Sequence, residues 1–564
     1  MKRNTLTVLL CLFVTAFMTA SNYGVDNFAM GEYALAKKWF EQQVSQNPAE
    51  SNYYLGEIAF KEGNVDAART FFDKGLAADP TSALNMVGKG KTLLKSSEKD
   101  ADLLFKAALK TDKKNMTVNL AIVSAYKDNG MAEQAAAKLN AAKKAGKNDP
   151  LVYIYEGDEI MAGKSETRVQ DAAGKFSQAM YFDPSNAVAQ MKYAQVYLLT
   201  DSYDIPVETE KKVVEAHPDY SIAIRDLAAG YTNKGMYNAA IENYKKYFEL
   251  GSYTINDIRR FAQSYFFNDQ FQEGLKLTQE GLKLEPDHFV LNRLRMYCAS
   301  ELKDSLGMEY AAKFFSLRSG QGEDAKFIYK DYLAYAKILA DAGRFEEALA
   351  QFDKVLSFSA EEKVDKGDVY VAQAECYTKM KQYAKAGDMY EKYIVTFGEL
   401  TKVNIFLEQG KSYYNAAFEI KNDSTEAGKA LLIDYVTKAD SAFAKTSRMA
   451  PDSYVGYMWR GNTNVMLDPE STIGLAKPYY EAAVAAIMKK VDAGDELTAA
   501  YKNQLKRAYL YLAVYYYKAN DKTNAVLYCT KVQEITPAEK VSKAIMDAYK
   551  AMETPAAKTP TPAK

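Results

Sequence analysis

The sequence predicts an all-α fold in which similar helix pairs stack one after another along the chain. Its 564 residues include only 14 prolines and 30 glycines, which suits long helices with short turns better than a β-rich fold. Hydrophobic residues make up 48% of the chain, enough to build a large buried core. A pattern of small, aromatic and proline residues also returns about every 34 residues. We therefore expect an α-solenoid of about fourteen helix pairs.

The repeat is clearest in the middle of the chain. Residues 227–244 align with residues 261–278 at a constant offset of 34 positions. Pro184, Pro218 and Pro286 are separated by one and two multiples of the same offset. Small residues in this pattern allow two helices to approach closely, and large residues fill the space between units. Proline is expected to close the second helix, because it cannot continue one.

The repeated positions can be followed from one end of the chain to the other. In chain order the units are marked by Gly31, Ala36 and Phe40; Gly56, Ala68 and Phe72; Gly88, Ala101 and Phe105; Tyr126, Gly130 and Ala135; Gly157, Ala172 and Phe176; Ala194 and Tyr197; Ala228, Ala240 and Tyr244; Ala262, Gly274 and Thr278; Leu294, Cys298 and Ala312; Ala336, Ala348 and Phe352; Ala374, Ala386 and Tyr390; Gly410, Ala439 and Phe443; Gly461, Ala476 and Tyr480; and Ala513, Ala525 and Cys529. In the sixth unit Pro206 begins a second helix that lacks the usual small residue. Residues 422–428 and 467–472 are expected to be inserted loops.

The amino-terminal residues read as a targeting segment. Residues 1–21 begin with two basic residues and continue into an apolar run of secretory-signal length. We therefore expect a cleaved signal peptide, a periplasmic location and no transmembrane segment in the mature chain, with association with the outer membrane left open. Cys11 would be the lipid attachment site of a lipoprotein, but the bulky Leu10 before it disfavours that alternative.

The carboxyl-terminal residues differ from the repeats as well. We expect the repeats to occupy 22–537, followed by a capping helix over 538–552 that covers the end of the stack. Residues 553–564 are rich in proline and threonine and are expected to be a disordered tail.

A repeat of about 34 residues with small, aromatic and proline positions in fixed phase resembles the tetratricopeptide-repeat (TPR) family. The resemblance implies two antiparallel helices per unit, a right-handed superhelix and a concave groove lined by the first helices. The signal segment, the tyrosine-rich repeats and the Asp-Ser-apolar triplets at 304–306 and 440–442 look like exported TPR proteins of the Bacteroidota. In that group such triplets can carry O-glycans, and the proteins serve envelope assembly, secretion or transport.

The sequence contains no recognised catalytic or metal-binding constellation. His217 and His288 are the two histidines, and neither has a second ligand at metal-binding spacing. The segment 88–92 has glycines and lysines, but Asn85 replaces the first glycine of a phosphate-binding loop. Three cysteines of the mature chain are far apart and are expected to be buried free thiols: Cys298, Cys376 and Cys529. We therefore expect no enzyme activity, no metal and no cofactor.

One set of residues is a candidate partner-binding site. Arg225, Arg259 and Arg293 are 34 residues apart on three consecutive first helices. In TPR proteins the fifth motif position, held here by the first two arginines, points into the groove. Three neighbours complete the set, Arg260, Phe266 and Phe267, and together they would suit an acidic peptide segment or a terminal carboxylate. The alternative is that these arginines form ordinary helix salt bridges.

Most of the 43 tyrosines are expected to be structural. Six of them fall at the eleventh motif position, which packs between helices: Tyr126, Tyr231, Tyr265, Tyr377, Tyr413 and Tyr516.

These observations favour a non-catalytic periplasmic scaffold or adaptor that holds a protein or peptide partner. The formal net charge of −1 gives no reason to expect nucleic acid as a partner. A glycan- or peptidoglycan-binding protein that uses exposed aromatic residues is an alternative. A hidden enzyme is a third class, which would require ionisable side chains that converge in a closed pocket. The sequence leaves the oligomeric state open.

Overall fold

The computed structural model of the protein describes residues 24–111, 113–200, 202–251, 253–317, 326–358 and 364–553. The expected signal peptide and the expected tail beyond Glu553 lie outside these residues. Within them, the chain forms fourteen helix pairs and one further helix, and no strand. The predicted all-α architecture of stacked helix pairs is therefore confirmed.

The chain divides into two compact units, of which unit 1 ends at Cys298 and unit 2 begins at Ala299. No change of composition marks this division, which falls inside a helix. Unit 1 contains the helical residues 24–29 (α1) and then α2 (Tyr33–Gln43), α3 (Pro48–Lys61), α4 (Val65–Ala78), α5 (Ala83–Leu93), α6 (Glu98–Thr111), α7 (Met116–Asp128), α8 (Ala132–Ala145), α9 (Pro150–Ala162), α10 (Arg168–Phe182), α11 (Ala187–Leu198), α12 (Asp204–Ala216), α13 (Ser221–Asn233), α14 (Tyr237–Glu249), α15 (Ile255–Phe267), α16 (Phe271–Leu284) and most of α17 (Phe289–Leu302).

Unit 2 continues the same alternation of first and second helices. Its helices are α18 (Gly307–Ser316), α19 (Tyr329–Asp341), α20 (Phe345–Leu356), α21 (Lys366–Lys379), α22 (Tyr383–Phe397), α23 (Val403–Ile420), α24 (Glu426–Met449), α25 (Tyr454–Asn464), α26 (Lys477–Asp492), α27 (Ala499–Lys518), α28 (Lys522–Ile535) and α29 (Lys540–Glu553). The odd-numbered helices from α1 to α27 are the first helices of their pairs.

The turn inside a helix pair is short and uses one residue in the left-handed region. Gly63 and Gly130 have φ angles of 81° and 79° at this turn. Glycine adopts this conformation without strain because it has no Cβ. Asp269 and Lys381 hold the equivalent turns with φ angles of 56° and 58°. The glycine of the turn is therefore a preference of the repeat, and other pairs form the same turn at some strain.

The core between pairs is built from aromatic rings that pack on glycines. Phe72 of α4 is fully buried. A Cβ atom added to Gly56 of α3 would lie 2.5 Å from the Phe72 ring, and one added to Gly88 of α5 would lie 2.2 Å from it. The ring therefore fills the space between two consecutive first helices that only glycine leaves open. Small and aromatic residues recur every 34 positions because each pair needs this fit.

Helix ends follow the sequence signals as well. The side chain of Asn64 accepts a hydrogen bond from the Ala67 amide at 3.1 Å, which caps α4. Pro218 and Pro286 lie two residues beyond the last residues of α12 and α16, in the position expected for a residue that cannot continue a helix. The segment after Gly88 lies inside α5, so it forms a helix and no phosphate-binding loop.

The last helix, α29, packs on the final pair. Ile545 is 6% exposed and forms a cluster with Ala513 and Cys529 of that pair. In the part of the chain that the structure describes, no helix is both long and apolar enough to cross a membrane.

Candidate functional site

The candidate site lies in unit 1 on the first helices α13, α15 and α17. Arg225, Arg259 and Arg293 are each the fifth residue of one of these helices. The identical place in three helices follows from the 34-residue repeat. We call these three residues, with Arg260, Phe266 and Phe267, the arginine surface.

Arg225 is engaged within the chain. Its Nη1 atom lies 2.6 Å from Oε1 of Glu32, and its Nε atom lies 2.8 Å from Oδ1 of Asp226. Only 11% of its side chain is exposed. The sequence predicts Arg225 as a groove cation for a partner, but the structure gives its guanidinium two carboxylates of the same chain. The local sequence contains no signal for Glu32, because this residue lies 193 positions earlier.

Arg259 and Arg260 follow one another on α15 and differ in exposure. Arg259 is half-buried and donates a hydrogen bond to the Gln263 side chain at 3.2 Å. Arg260 is exposed. The pKa of His288 lies below its ordinary value, mainly because the ring is partly buried and further because the charge of Arg259 is near. At neutral pH His288 therefore adds little charge to the arginine surface.

Arg293 lies above an aromatic ring at the start of α17. Its guanidinium carbon is 4.9 Å from the centroid of the Phe289 ring, a cation–π geometry that orients the side chain. Arg295, two residues on, donates to the Asn292 side chain at 2.7 Å and is half-buried.

The two phenylalanines of the surface have different roles. Phe266 is half-buried and packs against Phe271 and Tyr297, with ring centroids 5.6 Å and 5.7 Å apart. Phe267 is 48% exposed and stacks on Tyr237 at 5.4 Å. Phe267 is two helical turns from Arg260, about 10 Å along the axis of α15. The structure therefore places an exposed aromatic face and an exposed cation on one side of α15.

Another set of charged residues, which sequence reasoning did not find, joins earlier first helices in unit 1. Lys91 of α5 is 1% exposed, and its Nζ atom lies 2.7 Å from Glu57 of α3 and 2.6 Å from Asp128 of α7. Burial alone would lower the pKa of Lys91, but the two carboxylates reverse this effect and raise it. Glu57 precedes Lys91 by 34 residues, so the repeat spacing was the available signal. These side chains tie three consecutive pairs together.

The tyrosines at the eleventh motif position pack between helices, as the sequence predicts for most of them. Tyr126 and Tyr413 are buried and donate hydrogen bonds to Asp102 at 2.5 Å and Asp388 at 2.9 Å. In each case the acceptor lies on the preceding second helix. Three others are half-buried: Tyr231, Tyr377 and Tyr516. These three tyrosines also pack against the buried clusters of their repeats.

The cysteines and the carboxylates are possible nucleophiles and metal ligands. Cys298, Cys376 and Cys529 are buried and free, as predicted. Burial raises the pKa of the Cys376 and Cys529 thiols to about 11, so they are protonated at neutral pH. Among the residues that the structure describes, no group of three or more His, Cys, Asp or Glu side chains could hold a metal ion.

An open groove of about 500 Å³ lies in unit 2 between α22, α23 and α24. Its walls include Asp388 and Lys438, but Asp388 accepts from Tyr413 at 2.9 Å and Lys438 pairs with Asp434 at 2.8 Å. Asp388 thus joins α22 to α23, whereas the Lys438 ion pair lies within α24. The groove therefore differs from the closed pocket that a hidden enzyme would require.

The fold and this surface define a class of protein, the α-solenoid of helix–turn–helix repeats. Within this class, the helix pairs of the chain are similar to tetratricopeptide repeats. The family model described as tetratricopeptide repeat matches residues 24–83, which contain α1 to α4. TPR proteins are generally non-catalytic scaffolds, and their fold supports binding of protein partners.

Comparison with known proteins gives likenesses of the same kind. Protein CTR9 homolog from Arabidopsis thaliana is 21% identical over 381 residues, or 61% of this chain. The chain spans 33% of the length of that relative. The C-terminal part of a TPR protein from Cytophaga hutchinsonii is 24% identical, with a TM-score of 0.40, and the match covers 51% of this chain and 99% of that structure. A TPR protein from Parabacteroides merdae is 16% identical, with a TM-score of 0.31, covering 50% and 99% respectively.

Proposed function

We propose that the protein is a non-catalytic periplasmic scaffold that binds an acidic, extended segment of a protein partner on the arginine surface. The observation that carries the proposal is the pair Arg259 and Arg293, at the same position of consecutive first helices. Exposed Arg260 and half-exposed Phe267 lie beside them. Arg225 is left out of the proposed contact, because Glu32 and Asp226 hold it.

The chemistry of these side chains favours carboxylates. A guanidinium group binds a carboxylate with two parallel hydrogen bonds, so arginine recognises acidic groups more specifically than lysine does. Neighbouring packed helices lie about 10 Å apart. This spacing matches three residues of a peptide in the extended polyproline II conformation, about 9 Å, in which side chains three positions apart lie on the same side. We therefore expect a segment with acidic residues three positions apart.

Phe267 supplies the apolar part of the proposed contact. Its ring is supported by Tyr237, so it is held in place before a partner arrives. Aromatic anchors of this kind carry much of the energy of protein interfaces, and a preformed surface reduces the entropy lost on binding. An acidic segment with one apolar residue between or beside its carboxylates fits these groups.

Peptide binding tests this function directly. Fluorescence anisotropy would be measured with labelled extended peptides that carry Glu at positions i and i+3 and one Leu, against the same peptides with Gln. We expect the acidic peptides to bind at least about tenfold more tightly, which corresponds to about 1.4 kcal/mol. The double substitution Arg259→Gln and Arg293→Gln should remove this preference. Phe267→Ala should weaken the binding of both the acidic and the Gln peptides.

Arg344→Gln is a matched control for that experiment. Arg344 is an exposed arginine of unit 2 that pairs with Glu347 at 2.5 Å, so its loss should leave peptide binding unchanged. Equal affinity for the Glu and Gln peptides, or an acidic preference that survives the double substitution, would contradict the proposed function.

The periplasmic part of the proposal is supported by the leader-like composition of residues 1–21. Cell fractionation of a tagged chain tests it, with protease added to intact cells and to cells whose outer membrane has been permeabilised. We expect the protein to become digestible only after permeabilisation. Recovery in the cytoplasmic fraction at full length would contradict this location.

A further inference from the structure

The first helix pair of unit 1 contacts helices that follow it by about five pairs. Glu32, in the turn between α1 and α2, accepts a hydrogen bond from Arg225 of α13 at 2.6 Å, although the two residues are 193 positions apart. Pairs in a repeat array otherwise contact their neighbours in sequence. The stack of pairs in unit 1 therefore returns to its own beginning.

Apolar packing accompanies this ion pair. Met30, two residues before Glu32, packs against a buried cluster formed by Met191, Val213, Tyr220, Ile222 and Ala223. These five residues belong to α11, α12 and the start of α13. The contact thus combines a half-buried ion pair with apolar packing. Residues 24–32 supply Glu32 to the ion pair and Met30 to the packing.

A third element of the contact is an acidic side chain. Asp26 of α1 lies near Asp219 in the turn before α13, and burial together with this second carboxylate raises the pKa of Asp26 to about 7. The charge of Asp26 also contributes to the raised pKa of two tyrosines, after their burial: Tyr54 of α3 and Tyr220 at the start of α13. Asp26 is therefore close to α13 and to the adjacent pair at once.

We propose that residues 24–32 form a reversible latch that holds the first helix pair against α12 and α13, with Glu32–Arg225 as its ion pair and Met30 as its apolar contact. This contact joins parts of the array that also pack on their own neighbours, α2 on α3 and α12 on α13. The latch can therefore open while the helices on both sides remain folded. Opening exposes Arg225 and the cluster around Met191.

The dependence of the latch on pH follows from Asp26. A carboxylic acid whose pKa is higher in the latched state binds its proton more tightly in that state. The contribution of Asp26 to the latched state is therefore fully present below the ordinary pKa of 3.8, and it is lost as the pH rises to about 7. Above that value Asp26 is ionised opposite Asp219, and the latch is weakest.

Distance measurements between the two sides of the latch test the proposal. Nitroxide labels would be placed at the exposed positions Lys38 of α2 and His217 at the end of α12, on keto amino acids that leave the cysteines unmodified. Double electron–electron resonance spectroscopy should give one short distance between the two labels in the unaltered chain at about pH 6. Glu32→Gln and Arg225→Gln should each add a population at longer distance, with helix content unchanged in far-UV circular dichroism.

Glu62→Gln is the matched control, because Glu62 forms an ion pair with Lys37 at 3.2 Å within the first two pairs and does not reach α13. It should leave the distance distribution unchanged. If Glu32→Gln retains the single short distance, or if Glu62→Gln opens the contact equally, the latch is not held by Glu32 and the proposal is overturned. Arg225→Gln serves as an independent second variant on the other side of the pair.

The pH response provides a separate readout. The long-distance population should increase several-fold between about pH 6 and about pH 9 in the unaltered chain. In Asp26→Asn the group stays neutral, so the short distance should persist at the higher pH. A pH response that is absent, or that is the same in Asp26→Asn, would overturn Asp26 as the proton-sensitive group. Peptide binding at the arginine surface is not needed for any of these results.

Discussion

At the scale of single residues, buried charges in unit 1 depend on partners from neighbouring pairs. Lys91 of α5 has Glu57 and Asp128 as ion-pair partners, and its ammonium group also lies 4.5 Å from the centroid of the Phe60 ring. A buried ammonium group is tolerated because two carboxylates and a ring replace its water.

Removal of Lys91 should therefore be strongly destabilising. Lys91→Ala leaves Glu57, which is 6% exposed, without its cation, and we expect a loss of about 3 kcal/mol. Lys89, two residues earlier, is 36% exposed in its ion pair with Asp73, so Lys89→Ala should change stability by less than about 1 kcal/mol. Hydrogen exchange of amides in α3 to α7 measures both effects locally. Similar losses in the two variants would refute the importance of the buried cluster.

A buried carboxyl group in unit 1 predicts how the stability of the fold depends on pH. Glu210 of α12 is 1% exposed, and burial, with a further contribution from Asp226, raises its pKa to about 8. A raised carboxyl pKa means that the folded state holds the proton more tightly. The contribution of Glu210 to stability is therefore fully present below the ordinary value of 4.5 and is lost progressively as the pH rises to about 8.

Glu210→Gln should remove this loss. We expect the variant to be more stable than the unaltered chain at about pH 9, by a few kcal/mol at most, and nearly equal to it at about pH 4. Urea unfolding followed through hydrogen exchange of α12 and α13 gives the comparison. Glu208→Gln is the control on the same helix, because the Glu208 side chain is 63% exposed. A stability difference that does not grow with pH would contradict the assignment.

At the scale of elements, the fit of a ring between two first helices sets the spacing of the array. Phe72 leaves no room for a side chain at Gly88. The nearest ring atom would be 2.2 Å from an added Cβ, so either the helix or the ring must move. By contrast, an added Cβ at Gly174 in α10 would meet no atom within 4 Å.

These two glycines give opposite predictions for the same substitution. Gly88→Ala should destabilise the second and third pairs by about 1 to 3 kcal/mol, because a well-packed core resists added volume. Gly174→Ala should stabilise α10 by about 0.5 to 1 kcal/mol, because alanine favours the helix. Thermal unfolding and amide exchange measure both. If Gly88→Ala were neutral, the packing of Phe72 would not set the distance between α3 and α5.

The helices themselves could be predicted from the sequence because their signals are local. The offset of 34 residues and prolines such as Pro218 and Pro286 predicted fourteen pairs and the places where second helices end. The division into two units at Cys298 could not be predicted, since it lies inside α17 and depends on which side chains meet in three dimensions.

At the scale of the whole molecule, a repeat array has ends that lack a neighbour and must be covered. At the carboxyl-terminal end, α29 places Ile545 on the last pair, next to Cys529. Val541 lies one turn earlier on the same helix and is 43% exposed. Val541 and Ile545 lie on the same side of the helix, which is therefore open at Val541 and covered one turn later at Ile545.

The covering role of α29 predicts how Cys529 reacts. Ile545→Asp should detach the helix, because it puts a charge into an apolar contact, and Cys529 should then react with a thiol reagent about tenfold faster or more. Val541→Asp should leave the rate unchanged, and Cys376 should react slowly in both variants. Mass spectrometry of the modified peptides locates the reaction. An unchanged rate at Cys529 in Ile545→Asp would show that α29 does not protect this end.

The sequence by itself determined the repeat, the all-α fold, the prolines that end second helices, and the positions of buried rings and thiols, because each depends on residues within one or two repeats. The tertiary structure decided which partners within the chain meet charged residues that are equivalent in sequence. Arg225, Arg259 and Arg293 are equivalent in sequence, but the return of the first pair onto α13 gives Arg225 the carboxylate of Glu32. A contact between residues 193 positions apart depends on the total of many small rotations between successive pairs. This total cannot be predicted from any local sequence pattern.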